Sequence, residues 1–130
     1  MGYKIVHFPK IADPRGNLTF IENPTQIPFS IKRIFWTYDV PGGEKRGGHA
    51  FKRQEEVIIA LSGSFDVVIQ EENVRKVFSL NRSYFGLYLP PSTWRHIENF
   101  STNSLALHLS SSVYDENDYV REFTNIGNTH

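Results

Sequence analysis

The segment KRGGHAFKRQEE (Lys45–Glu56) gathers four basic residues, two glycines, one histidine and two glutamates into twelve positions. In an extended chain His49 and Phe51 point to one face, so a phenylalanine stands where a second histidine would make immediate chemical sense. Three kinds of site fit such a segment: an active site, a metal site short of one ligand, or a binding pocket. Histidine, with an ordinary pKa near 6.5, is the natural proton carrier among these side chains. The other histidines are His7 and His108 within apolar runs, His96 in a polar, proline-flanked setting, and His130 at the end of the sequence.

The elements that must position these residues read as β-strands. KIVHF, NLTFIE, FSIKRIFWTYDV, EVIIALSG, SFDVVIQ, RKVFSL, YFGLYL, TWRHIENF and SLALHLSS are short alternating or apolar runs separated by turn residues. That spacing is the pattern of a sandwich or barrel. ALSGSFDVVI is the clearest hairpin, with a Ser-Gly-Ser turn followed by Phe65, Val67 and Ile69 on one face. The single helix candidate is YDENDYVREF, capped by Asp115 and carrying Tyr119, Val120 and Phe123. Residues 1–130 are expected to form one domain with its core in about residues 4–123, and 124–130 to be a frayed tail. With 14 basic and 14 acidic residues the net charge is zero, which argues against nucleic-acid or membrane-surface partners. The absence of cysteine excludes a disulfide framework and thiolate chemistry. No apolar leader or membrane-length run is present, and a cytoplasmic protein is expected.

Read from Gly43, the spacing Gly, five residues, His49, Phe51, Glu56, Gly63 resembles the first cupin motif. PPSTWRHIEN loosely resembles the second, through Pro91, Trp94, His96 and Asn99. The resemblance implies an all-β fold, a cupin or jelly-roll barrel, here with the short C-terminal helix. Metal-binding cupins use three histidines and a glutamate; with Phe51 in one place, His49, Glu56 and His96 are the most that remain. A phenyl ring there argues against a metal, and none is expected. A narrower resemblance runs from about Lys4 to Phe123. ADPRGNLTFIE, IPFSIKRIFWTYDV, KRGGHAFK, ALSGSFDVVI, YFGLYLPPSTWR and VYDENDYVREF are similar to the dTDP-sugar 3,4-ketoisomerases.

That resemblance implies a cofactor-free isomerase in deoxysugar biosynthesis of the O-antigen type, acting on dTDP-4-keto-6-deoxyglucose. A base removes the C3 proton, an enediol or enediolate forms, and reprotonation at C4 moves the carbonyl to C3. The product would go to an aminotransferase. The family pattern is His-x-His; His49 matches as the base and Phe51 departs from the pattern. His49 working alone, Tyr38, and Tyr84 or Tyr88 are the candidates for the missing role, with Tyr38 taken as catalytic and Tyr84 and Tyr88 as substrate-binding. Phe51 and Gln54 are expected at the sugar, and Arg15, Arg33, Arg46 and Lys52 at the pyrophosphate, which arginine forks suit. Trp94 reads as core or as a thymine platform, and Gln54 or Glu56 as the residue that orients His49. The galacto or gluco configuration of the product stays open. The resemblance further implies a homodimer with exchanged strands. A sugar-nucleotide-binding domain without turnover, and a metal-dependent cupin of other chemistry, are the alternative readings.

Overall fold

A computed structural model describes residues 2–22 and 25–123; the expected frayed tail, 124–130, lies outside the described residues. Twelve strands follow in order: β1 (Lys4–His7), β2 (Lys10–Ile11), β3 (Leu18–Thr19), β4 (Arg33–Tyr38), β5 (Arg46–Phe51), β6 (Glu56–Ser62), β7 (Phe65–Gln70), β8 (Arg75–Leu80), β9 (Phe85–Leu89), β10 (Arg95–Glu98), β11 (Leu105–Ser110) and β12 (Tyr119–Val120). They make two five-stranded sheets, β1-β9-β6-β11-β4 and β12-β5-β10-β7-β8, with β2 and β3 as a separate hairpin. This is the expected all-β jelly roll. No helix among the described residues is long and apolar enough to cross a membrane.

Alternation along the strands makes two apolar layers. Ile58 and Ala60 of β6 point between the sheets, where they meet Phe65, Val67, Ile69, Leu80, Leu87, Leu89, Ile97 and Ala106. The intervening Val57 and Ile59 point to the outer face, where Val6, Phe8, Ile27, Phe29 and Leu109 cover them. Unbroken burial from Glu56 to Ala60 marks β6 as a central strand with both faces filled. The hairpin between β6 and β7 turns at Gly63, whose φ of +66° suits glycine. A Cβ there would lie 2.8 Å from the Ser104 backbone.

Two expected strands are shorter than the sequence pattern. NLTFIE is a strand only at Leu18–Thr19, and β4 begins at Arg33, with the Lys32 amide just before it donating to the Ser110 carbonyl at 2.8 Å. The apolar residues ahead of β4, Ile27 and Phe29, are buried on the outer face, where they pack over β6 and β9. The C-terminal helical element is a single 3-10 turn, Glu116–Asp118, with Asp115 as its cap accepting from the Asn117 amide. Tyr119 and Val120 continue as β12, paired with Phe51 and Ala50 of β5.

Candidate active site

At one end of the space between the sheets the apolar filling gives way to a cavity of about 40 Å³. Phe35, Glu56, Ile58 and His108 line it from the first sheet; Gly47, His49, Arg95, Ile97 and Tyr119 line it from the second. The β5–β10 register positions His49. Arg95 pairs with His49 and Ile97 with Arg46, so β5 has one extra residue in this stretch. Gly47, at φ +74°, takes up that bulge in a conformation that costs a side-chain-bearing residue about 1–2 kcal/mol.

The cavity floor is a buried ionic chain. Arg95 Nη1 donates to Glu56 Oε1 at 2.5 Å, and His108 Nδ1 lies 2.9 Å from Glu56 Oε2. His108 Nε2 contacts Thr37 Oγ1 at 3.3 Å, and its ring stacks on Phe35 at 4.4 Å. Arg95 Nε donates to the Thr93 carbonyl, and its Nη2 is buried without a hydrogen-bond partner among the described residues. Burial pushes the Glu56 carboxyl up, but His108 and Arg95 together outweigh it and hold the group at about 2. Burial also pulls the His49 imidazole down to about 4, with the Arg95 charge adding to the effect and Glu56 opposing it. His49 is therefore a neutral base at neutral pH, beside a buried cation with a free donor.

The donor set does not fit a metal. Both Glu56 oxygens are engaged, one by a guanidinium. His96, the expected third ligand, lies on the opposite face of β10 from Arg95, with Nε2 2.7 Å from Glu98 Oε1. Among the described residues no three metal-binding side chains converge.

The residues expected at the site divide by place. Phe51 is buried against His49 at 4.8 Å, with the Arg95 guanidinium 5.1 Å from its ring. Gln54 is buried and accepts from Arg33 Nη2 at 3.0 Å; that guanidinium lies 4.8 Å from the Phe35 ring, so both brace the cavity wall. Tyr38 faces away from the cavity: β4 alternates, Phe35 and Thr37 point inward, and Tyr38 is 59% exposed. It lines a surface hollow with Lys45 and Arg46. Tyr88 pairs with Val57 and packs in the outer layer, its hydroxyl donating to Glu55. Tyr84 sits in another hollow under Lys10. Arg15 forms a bidentate pair with Asp13 at the β2–β3 hairpin, and Lys52 is exposed. Trp94 is half-buried, edge-on to Phe123.

Three cavity residues escaped the sequence reading. The second motif pointed to His96, whereas the inward residue of TWRHIE is its neighbour Arg95; a one-residue slip exchanges the faces of a strand. His108 alternates with buried Ala106 and Ser110, and a polar residue on the buried face of LALHLS was the available signal. Tyr119 was assigned to a helix. It packs edge-on to His49 at 5.1 Å and to Phe51 at 4.6 Å.

Residues 1–129 match the family model described as FdtA: WxcM-like, C-terminal. The chain is 40% identical over 125 residues to the TDP-4-oxo-6-deoxy-alpha-D-glucose-3,4-oxoisomerase of Aneurinibacillus thermoaerophilus, covering 96% of this chain and 90% of that protein. A crystal structure of a 3,4-ketoisomerase from Helicobacter canadensis superimposes with a TM-score of 0.92 at 40% identity, covering 97% of this chain and 95% of that one. A histidine-to-asparagine variant of QdtA, a 3,4-ketoisomerase from Thermoanaerobacterium thermosaccharolyticum, was crystallised with TDP-4-keto-6-deoxyglucose. It matches with a TM-score of 0.93 at 34% identity, covering 96% of this chain and 91% of that one.

Proposed function

The chain belongs to the FdtA (WxcM-like, C-terminal) family, is a sugar-nucleotide 3,4-ketoisomerase, and on that premise we propose that it moves the carbonyl of TDP-4-keto-6-deoxyglucose from C4 to C3 with His49 as the base. The observation that carries this reading is the pairing of a neutral, half-buried imidazole with a buried Arg95 whose Nη2 is free to donate. His49 takes the C3 proton, the C3–H electrons form the C3=C4 bond, and the carbonyl electrons move to O4. Arg95 Nη2 donates to the oxygen on which this charge develops; such a donor in a water-poor site contributes about 3–4 kcal/mol to catalysis. As the O3 hydroxyl proton passes to O4 and the C3=O bond forms, the C3=C4 electrons take the proton from the His49 imidazolium at C4. Glu56, held ionised, fixes Arg95 in place and takes no part in proton transfer.

The cavity admits roughly three waters' worth of volume, which suits the reacting edge of a sugar and leaves the nucleotide outside it. Arg46 precedes Gly47 of the cavity and, with Lys45, lines a surface hollow that also holds Asp39 and Glu44; we place the diphosphate at the Arg46 and Lys45 cations. A cytoplasmic homodimer fits the exposed apolar strip Ile34, Trp36 and Tyr38 on edge strand β4 and the exposed Ile11 and Leu18 of the β2–β3 hairpin. The test of function is conversion of TDP-4-keto-6-deoxyglucose to its 3-keto isomer, followed by NMR. Tight TDP binding with no product at equimolar enzyme would leave a sugar-nucleotide-binding domain in place of the isomerase.

A further inference from the structure

The geometry points to Tyr119 as a second catalytic residue, carrying a proton between O4 and O3 while His49 carries one between C3 and C4; this rests on the isomerase reading above. Five side chains that can hold a charge line the cavity: His49, Glu56, Arg95, His108 and Tyr119. Glu56 has both oxygens engaged and is held ionised. His108 has both ring nitrogens engaged, by Glu56 and Thr37. Arg95 keeps its proton at any working pH. His49 and Tyr119 are left, and among the described residues neither the imidazole nor the phenol hydroxyl has a hydrogen-bond partner. Phe35 and Phe51, which flank this pair, carry no transferable proton.

Tyr119 is held firmly. Its backbone pairs with Phe51, and its ring packs on His49 and Phe51 while the Arg121 guanidinium covers it at 4.4 Å. The preceding Asp118 is buried and accepts from the Arg53 and Gln54 amides at 2.8 and 3.1 Å, which fastens this segment to the β5–β6 turn. Tyr119 lines the cavity together with His49 and Arg95.

Each proton is accounted for. As His49 removes the C3 proton and the C3=C4 bond forms, O4 takes the phenol proton. The resulting phenolate, beside Arg95 and Arg121, removes the proton from O3. The C3=O bond forms, the C3=C4 electrons take the proton from the His49 imidazolium at C4, and both side chains end as they began. One phenol thus does the oxygen-to-oxygen work, and no second histidine is needed at residue 51.

The test is Tyr119→Phe, which keeps the ring and its packing. In deuterated water, with TDP-4-keto-6-deoxyglucose, the wild type forms product and exchanges C3. The variant is expected to lose about 100-fold in kcat with KM within about threefold, and the ratio of C3 exchange to product is expected to rise about tenfold or more, because the intermediate returns to substrate when O3 is not deprotonated. Loss of exchange and product in equal proportion with a raised KM, or kcat above half the wild-type value, overturns the assignment. Should Tyr119→Phe fail to fold, 3,5-difluorotyrosine at this position keeps the packing with a more acidic phenol; kcat is expected to change about threefold with KM unmoved, and an unchanged kcat overturns the assignment. A wild type that makes no product defeats the isomerase reading itself, whereas an active wild type with an equally active variant defeats only the role of Tyr119.

Discussion

Replacing Glu56 by Gln keeps the shape of the side chain and removes the one anion between Arg95 and His108. The structure sets the size of the effect. Arg95 and Glu56 are about 2% exposed, so solvent screens little of their interaction. Removing one partner of a buried ion pair costs about 3–5 kcal/mol. The distance from the ordinary 4.5 to about 2 for the Glu56 carboxyl corresponds independently to about 3 kcal/mol. Because the folded state holds this group below its unfolded value, its stabilisation is complete above about pH 4.5 and fades as the pH falls towards 2. About 2 kcal/mol of it is gone by pH 3. The assay is urea unfolding of wild type and Glu56→Gln from pH 7 down to 3; the difference between the two isolates this carboxylate from other titrating groups. The variant should be about 3 kcal/mol less stable at pH 7, with the gap narrowing to about 1 kcal/mol at pH 3. A cost below about 1 kcal/mol at pH 7, or a gap constant with pH, would refute the buried ionic chain as described.

The kcat/KM of the wild type should fall in acid with a midpoint near pH 4, where His49 gains its proton; a midpoint at 6.5 would mean that burial and Arg95 do not act on it. Tyr38→Phe should leave kcat within about twofold, since the phenol faces away from the cavity; a loss of about 100-fold would place it at the sugar after all. Gly47→Ala forces a side chain into φ +74°, with its Cβ 3.4 Å from His49 Cε1. Urea unfolding should show a loss of about 1–2 kcal/mol, together with a lower kcat from the displaced imidazole; unchanged stability would mean the bulge tolerates a side chain.

Most strand positions and their buried faces were legible, because alternation such as Phe65, Val67 and Ile69 records burial directly, whereas the order of strands in the two sheets was not. His49 was legible too, since a histidine among glycines and arginines stands out from its strand. What alternation lacks is register between strands. The Gly47 bulge decides that His49 meets Arg95 rather than a neighbour, and nothing local to TWRHIE distinguishes the inward arginine from the outward histidine. His108 looked like a core histidine and is one, but its partner Glu56 lies 52 positions away. Of the tyrosines the sequence offers, Tyr38, Tyr84 and Tyr88 are not among the residues lining the cavity, and Tyr119 is. Its segment alternates too briefly to separate a helix from a turn followed by a two-residue strand, and only pairing with β5 makes that choice.

The central claim is that His49 removes the C3 proton in a site that needs no second histidine. Deuterium incorporation at C3 of TDP-4-keto-6-deoxyglucose, measured by NMR with wild type and His49→Asn at equal TDP occupancy, tests it most directly. Wild type should incorporate deuterium and form the 3-keto product, and His49→Asn should fall by about 100-fold or more while still binding TDP. Exchange by His49→Asn at the wild-type rate, or binding by the wild type without any exchange, would contradict it.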